Sequence, residues 1–312
     1  MYIGIDIGGT KCAVIKADDN GNIIEKIKFK TCSCADTIEA LLGFTGKMGR
    51  ADAIGISCGG PLNSEKGVIL SPPNLPGWDN VEIVGLFEKR FGIKTFLQND
   101  ANACALAEWK FGAGKSCNNM IFLTFGTGMG AGLILNGRLF RGACGNAGEV
   151  GHIRLGKNGP VGFGKQGSFE GFCSGNGLAQ LGRTKALELL QAGRTASFCD
   201  SFDALDKIDA KRIAEYADKG YEDAIEVYRS CGEQLGFGLS ILIDILNPEK
   251  IVLGSIYARS QHLLYDAMVK VLRNECLIPS LAACDIVPAE LGEQVGDYAA
   301  ISTAILGSKG VL

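Results

Sequence analysis

The sequence contains no run of lysine or arginine. Its 31 basic and 34 acidic residues leave a formal net charge of −3, so the basic patch that binds nucleic acid is missing. No apolar stretch reaches the roughly 18 residues that a membrane helix needs. The N-terminus lacks the basic flank and apolar run of a signal peptide. These absences predict a cytoplasmic protein that binds neither nucleic acid nor membrane. Histidine is scarce, with 2 in 312 residues, so each one carries weight. Cysteine is not scarce, but the 12 cysteines are scattered and many lie inside apolar runs. That distribution predicts reduced thiols rather than a disulfide scaffold. Cys32-Ser33-Cys34 is too tight for ordinary metal pairing and has no second pair nearby.

What the chain has in abundance is glycine set between strand-like runs. "YIGIDIGGTKCAVIKA" (Tyr2–Ala17) and "IFLTFGTGMGAGLIL" (Ile121–Leu135) each read as strand, glycine turn, strand. A glycine turn can present backbone N–H groups to a phosphate because no Cβ blocks the approach. Two structural hairpins would give the same pattern. Neither stretch is a P-loop, since "GGTKCAV" lacks the required spacing. The repetition implies two similar halves facing across a ligand.

At 312 residues and 46% apolar content the chain is long enough for two domains with real cores. Strands are expected at Tyr2–Ile7, Cys12–Lys16, Ile23–Lys30, Ala53–Ser57, Thr95–Leu97, Met120–Phe125, Gly132–Asn136 and Lys250–Leu253. Helices are expected at Asp36–Met48, Val81–Phe91, Asp100–Phe111, Gly175–Gln191, Ala210–Asp218, Tyr221–Leu246, Gln261–Arg273 and Asp297–Leu306. This alternation argues for α/β architecture. The polar, small-residue stretch Gly112–Asn119 is the candidate boundary. It gives a smaller N-terminal α/β domain over 1–115, joined by the C-terminal helix at about 297–312, and a larger one over 116–296. "CGGPLNSEKGVILSPPNLPGWDN", after the strand at Ala53–Ser57, is long enough for a functional loop.

Three further stretches carry polar chemistry. "LQNDANACALAEW" puts Asn99 and Asp100 where a strand meets a helix. Either residue would serve as an N-cap. Asp100 also stands at the carboxyl end of a strand, where open α/β sheets bind ligands and a general base would act. "GNAGEVGHIRLG" holds Glu149 and His152 in a glycine-flanked polar stretch, and "GSFEGFCSGNG" holds Glu170. Such groups are what a sugar's hydroxyls need as hydrogen-bond partners.

Taken together, these segments resemble the ROK family of bacterial sugar kinases and related repressors, over essentially the whole chain. "DIGGTK" looks like its first phosphate motif and "TFGTGMGAG" like its second. "GISCGGPLNSEKGVILSPPNLPGW" is similar to its sugar-side loop, "NDANACALAE" to the segment with the catalytic aspartate, and "GEVGHI" to its sugar-binding Glu and His. The resemblance implies an actin-like ATPase fold, two ribonuclease-H-like domains around a cleft. It implies an ATP-dependent kinase that phosphorylates a hexose or N-acetylhexosamine, at the 6-hydroxyl, with Asp100 as base. Asn99, Glu149, His152 and Glu170 would hold the other hydroxyls, and Gly60 and Asn74 would line the sugar loop. Gly8, Gly9, Thr10, Lys11, Gly126 and Thr127 would surround the ATP phosphates, with Asp6 near Mg2+. Gly254 would lie under the adenosine, although the family's usual second glycine is Ser255 here. A homodimer is implied as well. Glucose leads the sugars that relatives use, ahead of N-acetylmannosamine, N-acetylglucosamine, allose and fructose.

One departure is large. The family's zinc signature is C-x-C-G-x-x-G-C-x-E, and the corresponding stretch is "VGFGKQGSFE". Val161, Phe163 and Ser168 stand where the cysteines belong, so no structural zinc is expected. The loop should be held otherwise, with Phe163 packed inward. The rival reading is a non-catalytic sugar-binding or regulatory protein of the same family without a DNA-binding domain.

Overall fold

The structure, a computed structural model, describes residues 1–312. In chain order it opens with strands β1 (Tyr2–Ile7), β2 (Lys11–Ala17) and β3 (Ile23–Lys30), helix α1 (Cys34–Lys47), β4 (Ala53–Cys58), β5 (Leu62–Asn63), β6 (Val68–Ile69), α2 (Ile83–Phe91), β7 (Thr95–Asn99) and α3 (Asp100–Phe111). There follow β8 (Met120–Leu123), β9 (Ala131–Leu135), β10 (Arg138–Phe140), β11 (Val161–Gly162), β12 (Lys165–Gln166), α4 (Phe169–Phe172), α5 (Gly175–Gln191), α6 (Ala210–Ala217) and α7 (Glu222–Leu246). The chain ends with β13 (Lys250–Leu253), α8 (Ile256–Glu275), α9 (Ile278–Ala282), β14 (Asp285–Pro288) and α10 (Val295–Ser308). No helix is long and apolar enough to cross a membrane.

The chain forms two compact units. One comprises Met1–Phe122, Gly132–Ala147 and Glu290–Leu312; the other comprises Leu123–Ala131 and Gly148–Ala289. The first unit is built on a sheet of order β3-β2-β1-β4-β7. Strands β1, β2 and β3 are antiparallel neighbours, while β4 runs parallel to both β1 and β7. Alternation along β1 buries Ile3, Ile5 and Ile7 against Leu41 of α1 and Phe87 of α2. Each such side chain contributes roughly 1.5–3 kcal/mol of burial.

The other face of this sheet carries α10, and glycine explains how closely it lies. Gly4 of β1 and Gly55 of β4 are register partners. A Cβ on Gly4 would lie 2.8 Å from the Ile301 nitrogen, and one on Gly55 2.2 Å from that of Ala304. Two adjacent glycines therefore make a flat bed, and the alanine-rich α10 lies in it. Gly112–Asn119 lies inside the first unit. There the buried Glu108 carboxylate accepts hydrogen bonds from the backbone N–H groups of Ala113 (2.9 Å), Glu290 (3.2 Å) and Leu291 (3.0 Å). One side chain thus fastens both the end of α3 and the return of the chain toward α10.

In the second unit, α7 and α8 pack through small residues. A Cβ on Gly232 would lie 2.6 Å from the Leu264 carbonyl oxygen, and one on Gly236 2.7 Å from the Val271 Cβ. These glycines, four apart, share one helix face and let the two helices approach. Strand β13 pairs in parallel with β14, a strand the sequence reading did not place. The helix expected from Gln261 begins at Ile256 instead. It is interrupted at Ser260 (φ −124°, ψ 24°), which explains why its periodicity is legible only from Gln261 onward.

Candidate active site

In the first unit, strand ends and loops build one cavity of about 210 Å3. Asp6, Gly8, Gly9, Gly60, Asn74 and Asp100 are among its walls. Asp6 belongs to β1, and Gly8 and Gly9 form the turn into β2. That turn is closed by the Gly8 N–H donating to the Lys11 carbonyl at 3.1 Å. The Thr31 hydroxyl donates to the Gly8 carbonyl at 2.6 Å, and the Thr31 N–H donates to the Thr10 carbonyl at 3.1 Å. A Cβ on Gly9 would lie 2.5 Å from the Asn74 carbonyl oxygen, so this position is glycine because another backbone touches it. Asn74 sits in the long loop after β4, which the buried Leu75 and Trp78 anchor to the core.

Thr10 and Lys11 are exposed on the same turn. Lys11 lines a smaller hollow of about 60 Å3 with Asp6, Glu293 and Asp297. Asn99 does what an N-cap does, its side chain accepting from the Asn102 N–H at 2.7 Å. It is not among the cavity's lining residues.

The two cavity carboxylates are electrostatically loaded. Burial pushes the pKa of Asp6 up to about 6, and the neighbouring Asp297 and Asp100 charges push in the same direction. Asp100 reaches solvent at the cavity, yet desolvation by the protein around it raises its pKa above the ordinary carboxylate value, opposed by the Ala101 N–H at 2.9 Å. Removal from water and like charges both disfavour the ionised form. A divalent cation at this cavity would relieve that repulsion, so the donor chemistry fits magnesium.

The second unit assembles the remaining candidates around the other glycine turn. Thr124 ties its ends: its N–H donates to the Gly130 carbonyl (2.9 Å) and its Oγ1 accepts from the Gly130 N–H (2.9 Å). Within the turn the Gly126 N–H donates to the Gly128 carbonyl at 3.1 Å. The Gly126 carbonyl accepts from Gly175 at the start of α5 (2.8 Å), and the Phe125 carbonyl accepts from Ile256 at the start of α8 (2.8 Å). Two helix N-termini thus abut the turn, an arrangement that favours anions. Thr127 is exposed at its tip. Gly254 is buried beside it, its N–H donating to the Leu123 carbonyl at 2.9 Å.

"GEVGH" is laced onto the same turn. The Ala131 N–H donates to the Gly148 carbonyl at 2.8 Å. A Cβ on Gly151 would lie 2.3 Å from the Met129 carbonyl oxygen and 3.1 Å from the Glu170 Cβ. Glu149 and His152 flank this contact and are exposed, and Glu170 accepts from the Met129 N–H at 3.0 Å. Glu149, His152, Glu170, Gly126 and Thr127 therefore belong to one local structure.

The family model for ROK proteins matches residues 2–305. The chain belongs to the ROK family. It is 31% identical to the glucokinase of Streptomyces coelicolor over 307 residues, covering 95% of this chain and 95% of that protein. It resembles the crystal structure of a ROK family glucokinase from Streptomyces griseus in complex with glucose and AMPPNP. The TM-score is 0.74 at 30% identity, over 97% of this chain and 98% of that one. The family likeness extends to the xylose repressor of Caldicellulosiruptor bescii, 31% identical over 226 residues, 72% of this chain and 55% of the repressor. The fold is the actin-like ATPase fold of the ROK kinase structures.

The family's zinc position does not fit zinc in this ROK protein. Val161 and Phe163 offer no donor atom, and Ser168 is an N-cap whose Oγ accepts from the Gly171 N–H at 3.0 Å. Hydrogen bonds hold the loop. The Gln180 side chain grips the Val161 backbone twice, accepting from its N–H (2.8 Å) and donating to its carbonyl (2.9 Å). Arg154 donates to the Gln166 carbonyl (2.6 Å) and Lys165 to the His152 carbonyl (2.5 Å). The expected inward packing of Phe163 is not found. Its ring is 80% exposed and meets His152 edge-on at 5.2 Å, because the tight turn between β11 and β12 carries it outward at φ 44°.

Proposed function

We propose that this ROK protein is a cytoplasmic, ATP-dependent sugar kinase that transfers the γ-phosphoryl group to the 6-hydroxyl of a hexose, glucose first among them. The observation that carries this reading is the cavity of the first unit. Asp100, the candidate base, and Asp6 open onto the same 210 Å3 space as the phosphate-type turn at Gly8 and Gly9 and the loop residues Gly60 and Asn74. The likeness to glucokinases over nearly full length supports it.

In this chemistry the protein positions its substrates and stabilises charge. The raised pKa of Asp100 suits a base that must accept a proton near neutral pH. Asp100 takes the proton from the attacking hydroxyl. The two glycine turns hold the phosphates through the N–H groups of Gly9 and Thr127, while the N–H groups of Gly8 and Gly126 close the turns themselves, and Thr10 and Lys11 stand beside them. Asp6 would hold the magnesium that accompanies ATP, and that ion would offset phosphate charge. Glu149, His152, Glu170 and Asn99 take the remaining hydroxyls, and Gly254 underlies the adenosine. Without a zinc to hold, the His152 ring would be free for the sugar.

A coupled ADP-release assay with Mg-ATP against hexoses and N-acetylhexosamines tests the reading. Turnover with one sugar well above the rest names the substrate; silence across the panel removes the kinase assignment. Asp100→Asn is expected to lower kcat by roughly 10²–10⁴ with sugar binding retained. Near-normal turnover in that variant would take Asp100 out of the mechanism.

A further inference from the structure

We infer that Glu170 is a positioning residue for the nucleotide, a strut that holds the second glycine turn in shape, and that through it sugar and nucleotide binding are coupled. The inference rests on the sugar-kinase reading above and assigns one of its sugar-binding acids a second task.

The first observation is the contact itself. Glu170 Oε2 accepts the Met129 N–H at 3.0 Å across 41 residues of sequence. The turn residue beside Met129 leaves room for this oxygen and for nothing larger, since a Cβ on Gly128 would lie 2.7 Å from it. Oε2 engages the turn, which leaves Oε1 for a sugar hydroxyl.

The second observation is how rigidly Glu170 is held. It lies in the first turn of α4, whose N-cap is the fully buried Ser168. Its neighbour Phe169 is fully buried in a notch of α7, where a Cβ on Gly238 would lie 2.3 Å from the ring. Cys173, at the end of α4, donates its thiol to the Cys231 carbonyl of α7 at 3.5 Å. The carboxylate is therefore mounted on the helical core of the unit, whereas the turn it touches consists largely of glycine. Thr124 ties the ends of the turn, and at Met129 the carboxylate fixes its path. That path aims the N–H of Thr127, the Gly126 N–H being held by the Gly128 carbonyl. A sugar hydroxyl on Oε1 would fix the carboxylate further, so each ligand should tighten the other by the same factor.

Titration calorimetry with a non-hydrolysable ATP analogue and magnesium, in the absence of sugar, is the test. A residue that only binds sugar has no influence on this reading. Glu170→Ala should weaken the analogue about tenfold, the value of one hydrogen bond to a charged group. Glu170→Gln keeps an acceptor for the Met129 N–H and should stay within about threefold of the parent. Unchanged affinity in Glu170→Ala overturns the strut while leaving the kinase reading intact. A parent protein that binds no analogue at all overturns both. Should Glu170→Ala not fold, Gly128→Ala provides the same displacement from the other side. It should weaken the analogue comparably, and a double variant that folds should be no weaker than either single one. Gly128→Ala with parental affinity overturns the inference.

Discussion

Two carboxylates stand beside the two glycine turns, and their situations are opposite. Asp6, by the first turn, is pushed toward neutrality by burial and by two other acids, Asp297 and Asp100. Glu170, by the second, is supplied with a backbone donor, the Met129 N–H. The turns themselves are braced to match. The first leans on neutral groups, the Thr31 hydroxyl and the Asn74 backbone; the second leans on the carboxylate in addition to the Thr124 hydroxyl. The difference teaches that one sequence pattern, strand-glycine-strand, can be stabilised by unlike means. One acid is held among like charges with burial against it, while the other accepts a bond that supports the fold.

The largest contrast should come from alanine at the paired glycines. A Cβ on Gly9 meets a carbonyl oxygen of the backbone at 2.5 Å, and one on Gly128 meets the end of a side chain at 2.7 Å. Backbone yields less readily, so Gly9→Ala should lower stability by about 1–3 kcal/mol, the cost of overpacking, and Gly128→Ala by less. Denaturant melts of the two variants compare them directly. Equal losses would mean that the first turn is no more tightly braced than the second.

Removing the charge of each carboxylate should next give opposite signs. The pKa of Asp6 rises from 3.8 to about 6 on folding. Between those values the folded protein binds a proton that the unfolded chain has released, so stability falls as pH rises through this window and remains lower above it. Asp6→Asn should therefore stabilise the ligand-free protein at pH 7.5 by about 1–2 kcal/mol after allowance for partial exposure, and by almost nothing near pH 3.5. Glu170→Ala should destabilise it by about 1–2 kcal/mol. Thermal melts in chelator at several pH values measure both. A destabilised Asp6→Asn at pH 7.5 would show that Asp6 is satisfied after all.

These contrasts also mark what was legible in the sequence. The strands of the first sheet, both glycine turns and the strand–helix junction at Asp100 could be read because their signals are local: alternation, a missing Cβ, a capping residue. Glu108 could not be read, since its three N–H partners lie in two distant segments of chain. Neither could the Gly4–Gly55 pairing, which is a property of strand register. The loss of zinc ligands was visible, but not the double grip of Gln180 on Val161, because a glutamine on a helix announces no partner. Phe163 was expected inside as the substitute for zinc in holding the loop, and turn geometry overrode it. Asn99 could be read as a cap or a ligand; its side-chain oxygen caps α3 by accepting from the Asn102 N–H, which leaves its amide nitrogen for a hydroxyl.

The smallest predicted effect concerns Ser255, where a glycine is usual in the family. It adopts φ 49° and ψ −102°, a backbone conformation that a residue with a Cβ enters only under strain of about 1–3 kcal/mol. Its side chain makes no capping bond to α8; its only side-chain partner is the Arg259 guanidinium, at 3.5 Å. Ser255→Gly would remove the strain but enlarge the freedom of the unfolded chain, a loss of about 0.5–1 kcal/mol. The balance should be a gain of about 0.5–2 kcal/mol, readable as a rise in Tm. The serine hydroxyl also lies near the second turn, 3.8 Å from where a Cβ on Gly126 would be. If the variant is more stable and binds the ATP analogue as tightly as the parent, the strain has no counterpart in nucleotide binding. If it is more stable and binds more weakly, the second turn is braced by the Ser255 hydroxyl as well as by Thr124 and Glu170, and the two turns are less unlike than their carboxylates suggest.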